Sequence, residues 1–170
     1  HFAPNGSQII VFNQTIPQTQ SGSAQTNFPD YQPVLEIPGP WTVRFDTRWG
    51  GPEEIIFDDL MSWKSHPQQG IQDYSGKAVY RKVFTINRLD LSKSYLLDLG
   101  RVEDSGIARV ILNGTDLGVV WTSPFRVDIT KALKSGTNTV EIAVVNSWRN
   151  RLLADQKLPK DKRLTNTNIQ

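Results

Sequence analysis

The side chains best suited to chemistry in this chain lie in the run Asn146-Ser-Trp-Arg-Asn-Arg-Leu152. It combines one indole with two guanidinium groups and two amides. An indole face packs on apolar C–H surfaces, and arginine binds carboxylates through two parallel hydrogen bonds. Sugars present such C–H faces together with hydroxyl or carboxylate groups. The run therefore indicates either recognition of carbohydrate, including uronic acids, or attachment to the carboxylates of a neighbouring domain.

Further aromatic residues lie in or beside predicted loops and are candidates for the same role. The candidate surface for sugar or for a domain interface comprises Trp148, Arg149, Asn150, Arg151, Trp121, Trp63 and Tyr74. Trp49 is another loop tryptophan, whereas Trp41 alternates with Val43 and Phe45 and is predicted to be core. Because tryptophan is highly buried on average, packing beneath the loops is the alternative for Trp121 and Trp148.

Acidic residues are present, but the sequence gives no sign that any two converge. Glycoside hydrolysis usually needs two carboxylates on opposite sides of the scissile bond. Acids in turns usually bond their own backbone, so we assign no catalytic residue. The candidates are Asp46, Glu53, Glu54, Asp58, Asp59, Asp73, Glu103, Asp104 and Asp155.

One acidic turn is the candidate metal site of the sequence. His66 has no second histidine beside it, so no zinc motif is present, and no Gly-x-Ser-x-Gly elbow supports a Ser–His nucleophile. Calcium (Ca2+) is the candidate metal. The acidic turn Glu103-Asp104 is the candidate site, although no Asp-x-Asp-x-Asp-Gly loop specifies it.

The elements that must position these residues are eight or nine short strands separated by turn signals, which predicts an all-β sandwich or barrel. Asn113-Gly114 between two apolar runs predicts a hairpin, because both residues tolerate the positive φ of a type I′ turn. Asp128 or Thr130 is predicted to cap a helical turn over 131–134, and Asp58 one over 58–63. Strands are predicted at 8–12, 33–37, 41–45, 54–57, 78–85 (buried on both faces), 94–99, 108–112, 117–121 and 139–145. Residues 146–152 then follow as a loop at one end.

Composition narrows the class of function. The 170 residues suit one domain, and a net charge of +2, dispersed along most of the chain, argues against nucleic-acid binding. The absence of cysteine excludes disulfides and thiolate metal sites. No apolar run reaches the roughly 18 residues of a membrane span. His1-Phe2-Ala3 lacks the features of a signal peptide, so the chain is expected to begin inside a longer protein.

Four motifs in collinear order resemble the C-terminal region of α-L-rhamnosidases of glycoside hydrolase family 106. They are Gly39-Pro-Trp41, Trp49-Gly-Gly-Pro52, Phe57-Asp-Asp-Leu-Met-Ser-Trp63 and the run at 146–152. Tyr74-Ser-Gly76 and Pro124-Phe-Arg-Val-Asp-Ile-Thr130 are similar to the sugar-binding sandwich of family 2 glycosidases. The resemblance covers about residues 34–166. It implies a jelly-roll sandwich of the galactose-binding type, periplasmic or extracellular in a bacterium, with catalysis in a separate upstream barrel domain.

The expected organisation follows from this resemblance. Residues 1–32 are predicted to be an N-terminal strand and polar linker from the preceding domain, 33–154 the sandwich, and 155–170 a surface-running segment. The family usually continues with a further apolar segment, so one strand position is expected to be empty. The expected function is that of a non-catalytic accessory domain that supports the catalytic barrel and lends loop residues to its substrate cleft. A second hypothesis is an independent carbohydrate-binding module that tethers an enzyme to polysaccharide. The alternative is a structural domain that packs on the barrel without touching sugar.

Overall fold

The computed structural model describes residues 30–102 and 106–166, together with Ile9, Val11, Asn13 and Thr15. The predicted strand at 8–12 therefore falls largely outside the described residues. The acidic turn Glu103-Asp104 falls wholly outside them. Within the described part of the chain, no helix is long and apolar enough to cross a membrane.

In the part of the chain that the structure describes, eight strands form two antiparallel sheets, which confirms the all-β sandwich. The strands are β1 (Trp41–Phe45), β2 (Ile55–Phe57), β3 (Lys77–Ile86), β4 (Leu96–Asp98), β5 (Ile107–Leu112), β6 (Thr115–Val120), β7 (Arg126–Asp128) and β8 (Gly136–Val145). The main sheet has six strands in the order β2-β1-β3-β8-β5-β6, and the small sheet pairs β4 with β7. The longest pairing joins β3 to β8 along ten residues of each strand.

Helical structure is short. Within residues 30–102 and 106–166, the α-helices are α1 (Gln69–Gln72) and α2 (Arg149–Gln156), and three single-turn 3-10 helices span Thr47–Trp49, Trp63–Ser65 and Lys160–Lys162. The helical turn predicted over 58–63 is wrong, because the chain stays irregular there and turns only from Trp63. A side chain at Gly39 would lie 1.7 Å from the Asp58 carbonyl oxygen. This close approach to the chain before β1 holds the Asp58 backbone outside any helix.

The turns predicted around the hairpin are confirmed. Asn113 and Gly114 join β5 to β6 with φ of 52° and 82°, as a type I′ turn requires. The Asp128 carboxylate accepts a hydrogen bond of 2.9 Å from the Thr130 amide and caps a turn that begins at Ile129. The single turn thus starts two residues earlier than predicted.

Two strand predictions need correction. Residues 33–37 are in no strand of the described structure, because no described strand lies alongside to pair with them. β3 was predicted to be buried on both faces, but burial alternates: Ala78 and Tyr80 are buried, whereas Lys77 and Arg81 are exposed. The outward face of the main sheet meets solvent, since the small sheet packs on the other face.

The core lies under the main sheet and is centred on aromatic rings. Trp41, Val43 and Phe45 alternate inward along β1, as predicted. The Phe45 ring meets the rings of Trp63 and Tyr74 edge-on, with centroids 5.4 and 4.8 Å apart. Such geometry adds about 0.5–1.5 kcal/mol per pair beyond the buried area. The core therefore extends from the sheet to the segment that carries α1.

Tyr80 offers a test of this core through pH. The Trp63 indole N–H donates to the Tyr80 hydroxyl at 2.6 Å, and burial raises the pKa of Tyr80 to about 12. Because the pKa of Tyr80 is higher in the folded chain than in the unfolded chain, the protonated hydroxyl contributes to the free energy of unfolding. This contribution is fully present below the unfolded pKa of about 10 and is lost as pH rises toward 12. Tyr80→Phe should cost about 1–3 kcal/mol at pH 8, because it leaves the indole unpaired.

The measurement is urea unfolding of both proteins at neutral and alkaline pH. The stability gap between wild type and Tyr80→Phe should narrow by about 2 kcal/mol from pH 9 to pH 12, because only the wild type loses this contribution. A gap that stays constant with pH would contradict the burial of the Tyr80 hydroxyl.

Candidate functional site

One end of the main sheet collects most of the candidate residues. Val145 at the end of β8 pairs with Lys77 at the start of β3 and with Ile107 at the start of β5. Val120 at the end of β6 pairs with Ala108. Segments 46–51, 73–76, 121–125 and 146–149 therefore leave or enter the sheet at the same end, which we call the loop end. Sandwich loops positioned in this way commonly carry binding residues.

Trp148 is an exposed indole held against a second tryptophan. It is 46% exposed, and its ring meets that of Trp49 edge-on with centroids 4.8 Å apart. Trp49 is itself partly buried, in a single 3-10 turn closed by Gly50 in the left-handed region. The pair therefore presents a fixed aromatic surface rather than a freely rotating side chain.

Trp121 is the most exposed tryptophan of the loop end, with 71% of its surface accessible. It directly follows β6, which lies two strands from β8 in the main sheet. At about 4.8 Å between neighbouring strands, the strand ends that carry Trp121 and Trp148 are separated by about 10 Å. Both exposed indoles thus belong to the same end of the sheet.

Arg149 is the loop-end cation with an unused guanidinium. It is exposed and makes no hydrogen bond or ion pair with the residues that the structure describes. Another arginine of the loop end, Arg48, instead forms an ion pair with Asp46 at 2.6 Å. The side-chain hydrogen bond from Arg48 lowers the pKa of the Asp46 carboxyl. Arg149 thus follows Trp148 in the chain with hydrogen-bond donors that no described residue uses.

The two asparagine side chains of the segment predicted as a loop form hydrogen bonds within the domain. Asn146 and Asn150 both donate side-chain hydrogen bonds to the Tyr74 carbonyl, at 3.1 and 3.4 Å. The side-chain oxygen of Asn146, Oδ1, also accepts a hydrogen bond from the Gly76 amide at 2.9 Å. Asn150 is buried, so these contacts clamp the Tyr74–Gly76 turn onto the start of α2 rather than facing solvent.

Arg151 is buried and paired inside the domain. Its guanidinium lies 2.9 Å from the Asp155 carboxylate one helical turn later, with both side chains at most 6% exposed. The other Asp155 oxygen accepts hydrogen bonds from the Thr165 amide and hydroxyl at 2.7 and 2.6 Å. Burial alone raises the pKa of Asp155, but the Thr165 and Leu164 hydrogen bonds and the Arg151 charge outweigh it, so the pKa is lowered.

The prediction of a loop over 146–152 is therefore corrected: α2 begins at Arg149. Asn150, Arg151, Ala154 and Asp155 recur at helical spacing and face the body of the domain. This i, i+4 pairing of Arg151 with Asp155 was the signal available in the sequence. It was missed because amide and arginine residues beside a strand end were interpreted as an exposed loop.

Two further predicted site residues lie in the core. Trp63 is 8% exposed, and Tyr74 is fully buried with its hydroxyl donating to the Lys77 carbonyl. Neither indole nor phenol has an open face on the loop end. The candidate surface carried forward thus consists of Trp148, Arg149 and Trp121, with Trp49 added from the structure.

Six described carboxyl groups have a shifted pKa. A general acid needs a raised pKa, and each described carboxyl group with a shifted pKa has it lowered. These are Asp46, Asp90, Asp98, Asp116, Asp128 and Asp155. The described part of the chain also brings together no three His, Asp or Glu side chains that could hold a metal.

Comparisons with known proteins point to one class of enzyme. No family model matches the chain. A protein of Formosa agariphila named "Putative beta-glucuronidase" is 39% identical over 130 residues, which are 76% of this chain and 11% of that protein. The solved rhamnosidase from Novosphingobium sp. PP1Y is 34% identical, with a TM-score of 0.73 over 86% of this chain and 14% of its own.

More distant structures share the fold alone. Ruminococcus gnavus beta-glucuronidase matches 68% of this chain and 22% of its own at 19% identity, with a TM-score of 0.51. The chain thus spans roughly a tenth to a quarter of the length of these proteins. It is a domain related to glycoside hydrolases.

Proposed function

We propose that the chain is a non-catalytic accessory domain of a bacterial glycoside hydrolase resembling the family 106 α-L-rhamnosidases, and that its loop end contacts carbohydrate. Similarity to a rhamnosidase at 34% identity over 86% of the chain supports the relationship. The small share of that enzyme which is matched, 14%, supports an accessory part rather than a whole enzyme. The parent protein would act in polysaccharide breakdown, in the periplasm or outside the cell.

The observation that carries the proposal is the exposed indole of Trp148. A tryptophan that only filled the core would be buried, as Trp63 is, whereas nearly half of Trp148 faces solvent on a rigid Trp49 support. An unpaired guanidinium stands next to it in the chain at Arg149. An apolar platform beside a hydrogen-bond donor is the arrangement that a sugar ring needs.

Each residue then has a distinct role. Trp148 supplies the stacking surface and Arg149 binds hydroxyls or a uronate carboxylate. Trp121 provides a second stacking position for a longer ligand. Asn150 and Arg151 act indirectly, because they fix α2 on the domain and so set the direction of the Trp148 ring. In the domain organisation we propose, residues 33–154 form the sandwich, 1–32 lead in from the preceding domain, and 155–170 follow it.

The alternative partner is the adjacent catalytic barrel of the same polypeptide, with no sugar contact. Leu153 on α2 and Leu164 beyond it are 49% and 44% exposed. A Cβ at Gly50, next to Trp49, would lie 3.4 Å from the Leu164 side chain. These leucines give this side of the loop end an apolar margin of the kind that a domain interface uses.

Isothermal titration of the purified chain distinguishes the two roles. The ligands are rhamnose, galacturonic acid and a rhamnogalacturonan oligosaccharide, each with and without calcium, since the Glu103-Asp104 turn is a candidate calcium site. We expect saturable heat with at least one of them. Silence from all of them at millimolar concentration would contradict sugar binding and favour the structural role.

A further inference from the structure

The turn Asn113-Gly114 has a chemical property that its place in the hairpin does not use. Asn113 is one of two asparagines in the chain that precede a glycine, and the other is Asn5. In an Asn-Gly pair the backbone nitrogen of the glycine can attack the side-chain carbonyl carbon of the asparagine, because no glycine side chain hinders the approach. Such pairs are therefore prone to deamidation, a spontaneous modification that converts asparagine into aspartate or isoaspartate.

The Asn113 side chain is held in place by three hydrogen bonds. Its nitrogen, Nδ2, donates to the Ala132 carbonyl at 2.8 Å and to the Asn138 side-chain oxygen at 2.7 Å. Its oxygen, Oδ1, accepts from the Thr139 amide at 2.9 Å, while the Asn113 amide donates to the Thr139 carbonyl at 2.8 Å. The side chain therefore extends the pairing of β5 with β8 beyond Leu112.

Asn138 is the buried partner of this side chain. It is fully buried, and its Oδ1 accepts a second hydrogen bond from the Lys134 amide at 2.9 Å. Its Nδ2 donates to the carbonyls of Lys134 and Gly136 at 2.8 and 3.0 Å. Both polar atoms of the Asn138 side chain thus have partners, in a network without charge. We call the Asn113 and Asn138 side chains with these contacts the amide pair.

The amide pair opposes the reaction at Asn113-Gly114. Ring closure moves the side-chain carbon of Asn113 onto the Gly114 nitrogen and expels Nδ2, which is the atom bonded to Ala132 and Asn138. The hydrogen bond from Thr139 to Oδ1 must also break. Satisfied buried networks of this kind hold one arrangement, so the reaction needs a local opening of the hairpin.

We propose that Asn113 is a latent deamidation site, which the folded domain keeps unreactive and which reacts when the hairpin opens. In the reaction the Gly114 nitrogen loses its proton to solvent and forms a bond to the Asn113 side-chain carbon. Nδ2 takes up a proton and leaves as ammonia. Water then opens the resulting succinimide ring at either of its carbonyl carbons, which gives aspartate or isoaspartate. Water is the only co-reactant, and no oxidant or reductant takes part.

Neither product rebuilds the amide pair. An aspartate at position 113 places an oxygen where Nδ2 donated, opposite the Ala132 carbonyl and the Asn138 oxygen, which are both acceptors. Isoaspartate in addition lengthens the backbone of a turn whose two residues need positive φ. Buried acceptors that lose their donor are costly, so the modification makes a reversible opening permanent.

The rate of conversion at Asn113-Gly114 tests the protection. The chain is incubated at mildly alkaline pH in buffer and in denaturing urea, and mass spectrometry quantifies the modified peptides. In urea, Asn5-Gly6 gives the rate of the same dipeptide without structure, and both pairs should react at similar rates. In buffer, the rate at Asn113 should be roughly a hundredfold below its rate in urea. A rate in buffer within about threefold of the rate in urea would overturn the proposal.

Asn138→Ala tests whether the amide pair is the cause of the protection. This substitution removes one acceptor of Nδ2 and should raise the rate at Asn113 in the folded chain by roughly tenfold. Thr137→Ala, at an exposed neighbour on β8, should leave the rate unchanged. Both rates are corrected for the unfolded fraction that urea unfolding gives for each variant. An unchanged rate in Asn138→Ala, or an equal rise in Thr137→Ala, would overturn the role of the amide pair.

Asn113→Asp reproduces one product and tests the consequence of the modification directly. It should lower the urea midpoint of unfolding by roughly 1 M, because two buried acceptors lose their donor. Asn87→Asp makes the same change of charge at an exposed position and should shift the midpoint by less than roughly 0.3 M. This comparison does not depend on the folding of Asn138→Ala. Equal midpoints for the two aspartate variants would overturn the proposal that the modified turn stays open.

Discussion

Asp155→Ala is expected to lower the free energy of unfolding by about 3 kcal/mol. The substitution leaves the Arg151 guanidinium buried without its counter-charge, and removing one partner of a buried ion pair typically costs about 3–5 kcal/mol. It also removes the acceptor for both Thr165 hydrogen bonds, so the chain after α2 loses its attachment. Guanidinium-induced unfolding measures the change.

Two further variants test whether the loss of stability comes from the buried ion pair. Asp161→Ala removes an exposed acid from the same C-terminal segment and should change stability by less than about 0.5 kcal/mol. Adding Arg151→Met to Asp155→Ala should recover part of the loss, because no unpaired charge is then buried. If Asp155→Ala lowers the free energy of unfolding by less than about 1 kcal/mol, the Arg151–Asp155 ion pair does not stabilise the fold as we expect.

The same carboxyl predicts an acid-dependent contribution to stability. The pKa of Asp155 is lowered in the folded chain. Its contribution is therefore complete above the unfolded pKa of about 4 and is lost as pH falls through the folded pKa. The stability difference between wild type and Asp155→Ala should shrink below about pH 4, and an unchanged difference at pH 2.5 would contradict the lowered pKa.

Trp148→Ala is expected to weaken oligosaccharide binding by roughly tenfold or more, which corresponds to about 1.4 kcal/mol or more. The indole supplies the stacking surface that alanine lacks. Stability should fall by about 1 kcal/mol or less, since the lost contact with Trp49 is one edge-on ring pair at a half-exposed position. Titration calorimetry and unfolding of the same samples separate the two effects.

Leu91→Ala is the matched control for this variant. Leu91 is 93% exposed and follows β3 at the opposite end of the sheet from Trp148. Its substitution should leave both affinity and stability unchanged. Unaltered affinity in Trp148→Ala would remove this tryptophan from the binding surface, whereas a large loss of stability would assign it to packing.

The sequence predicted correctly those parts of the fold that are determined by residues close together in the chain. Asn113-Gly114 forms its hairpin because few other residue pairs tolerate two successive positive φ angles. The inward alternation of Trp41, Val43 and Phe45 holds because one face of β1 covers the core. The Asp128 cap needs only its own backbone two residues later.

The predictions that were wrong concern residues whose positions depend on contacts with distant parts of the chain. Trp63 and Trp148 both lie in segments without a clear helix or strand pattern. Only tertiary contacts place Trp63 beside Tyr80 and leave Trp148 in contact with solvent. The pairing of Trp49 with Trp148 joins segments far apart in the chain, and no pattern predicts it. Residues 33–37 have residue types that favour a strand, but no described strand lies beside them. Strand propensity alone therefore does not give them a hydrogen-bonded partner.

The most direct test of the proposed loop-end site is an NMR titration that follows the five indole N–H signals of this chain. On addition of rhamnogalacturonan oligosaccharide, the account predicts saturable shifts of the Trp148, Trp49 and Trp121 signals. The Trp41 and Trp63 signals, from indoles buried under the main sheet, should not move. Shifts confined to Trp41 and Trp63, or no shift of any indole at millimolar oligosaccharide, would contradict carbohydrate binding at the loop end.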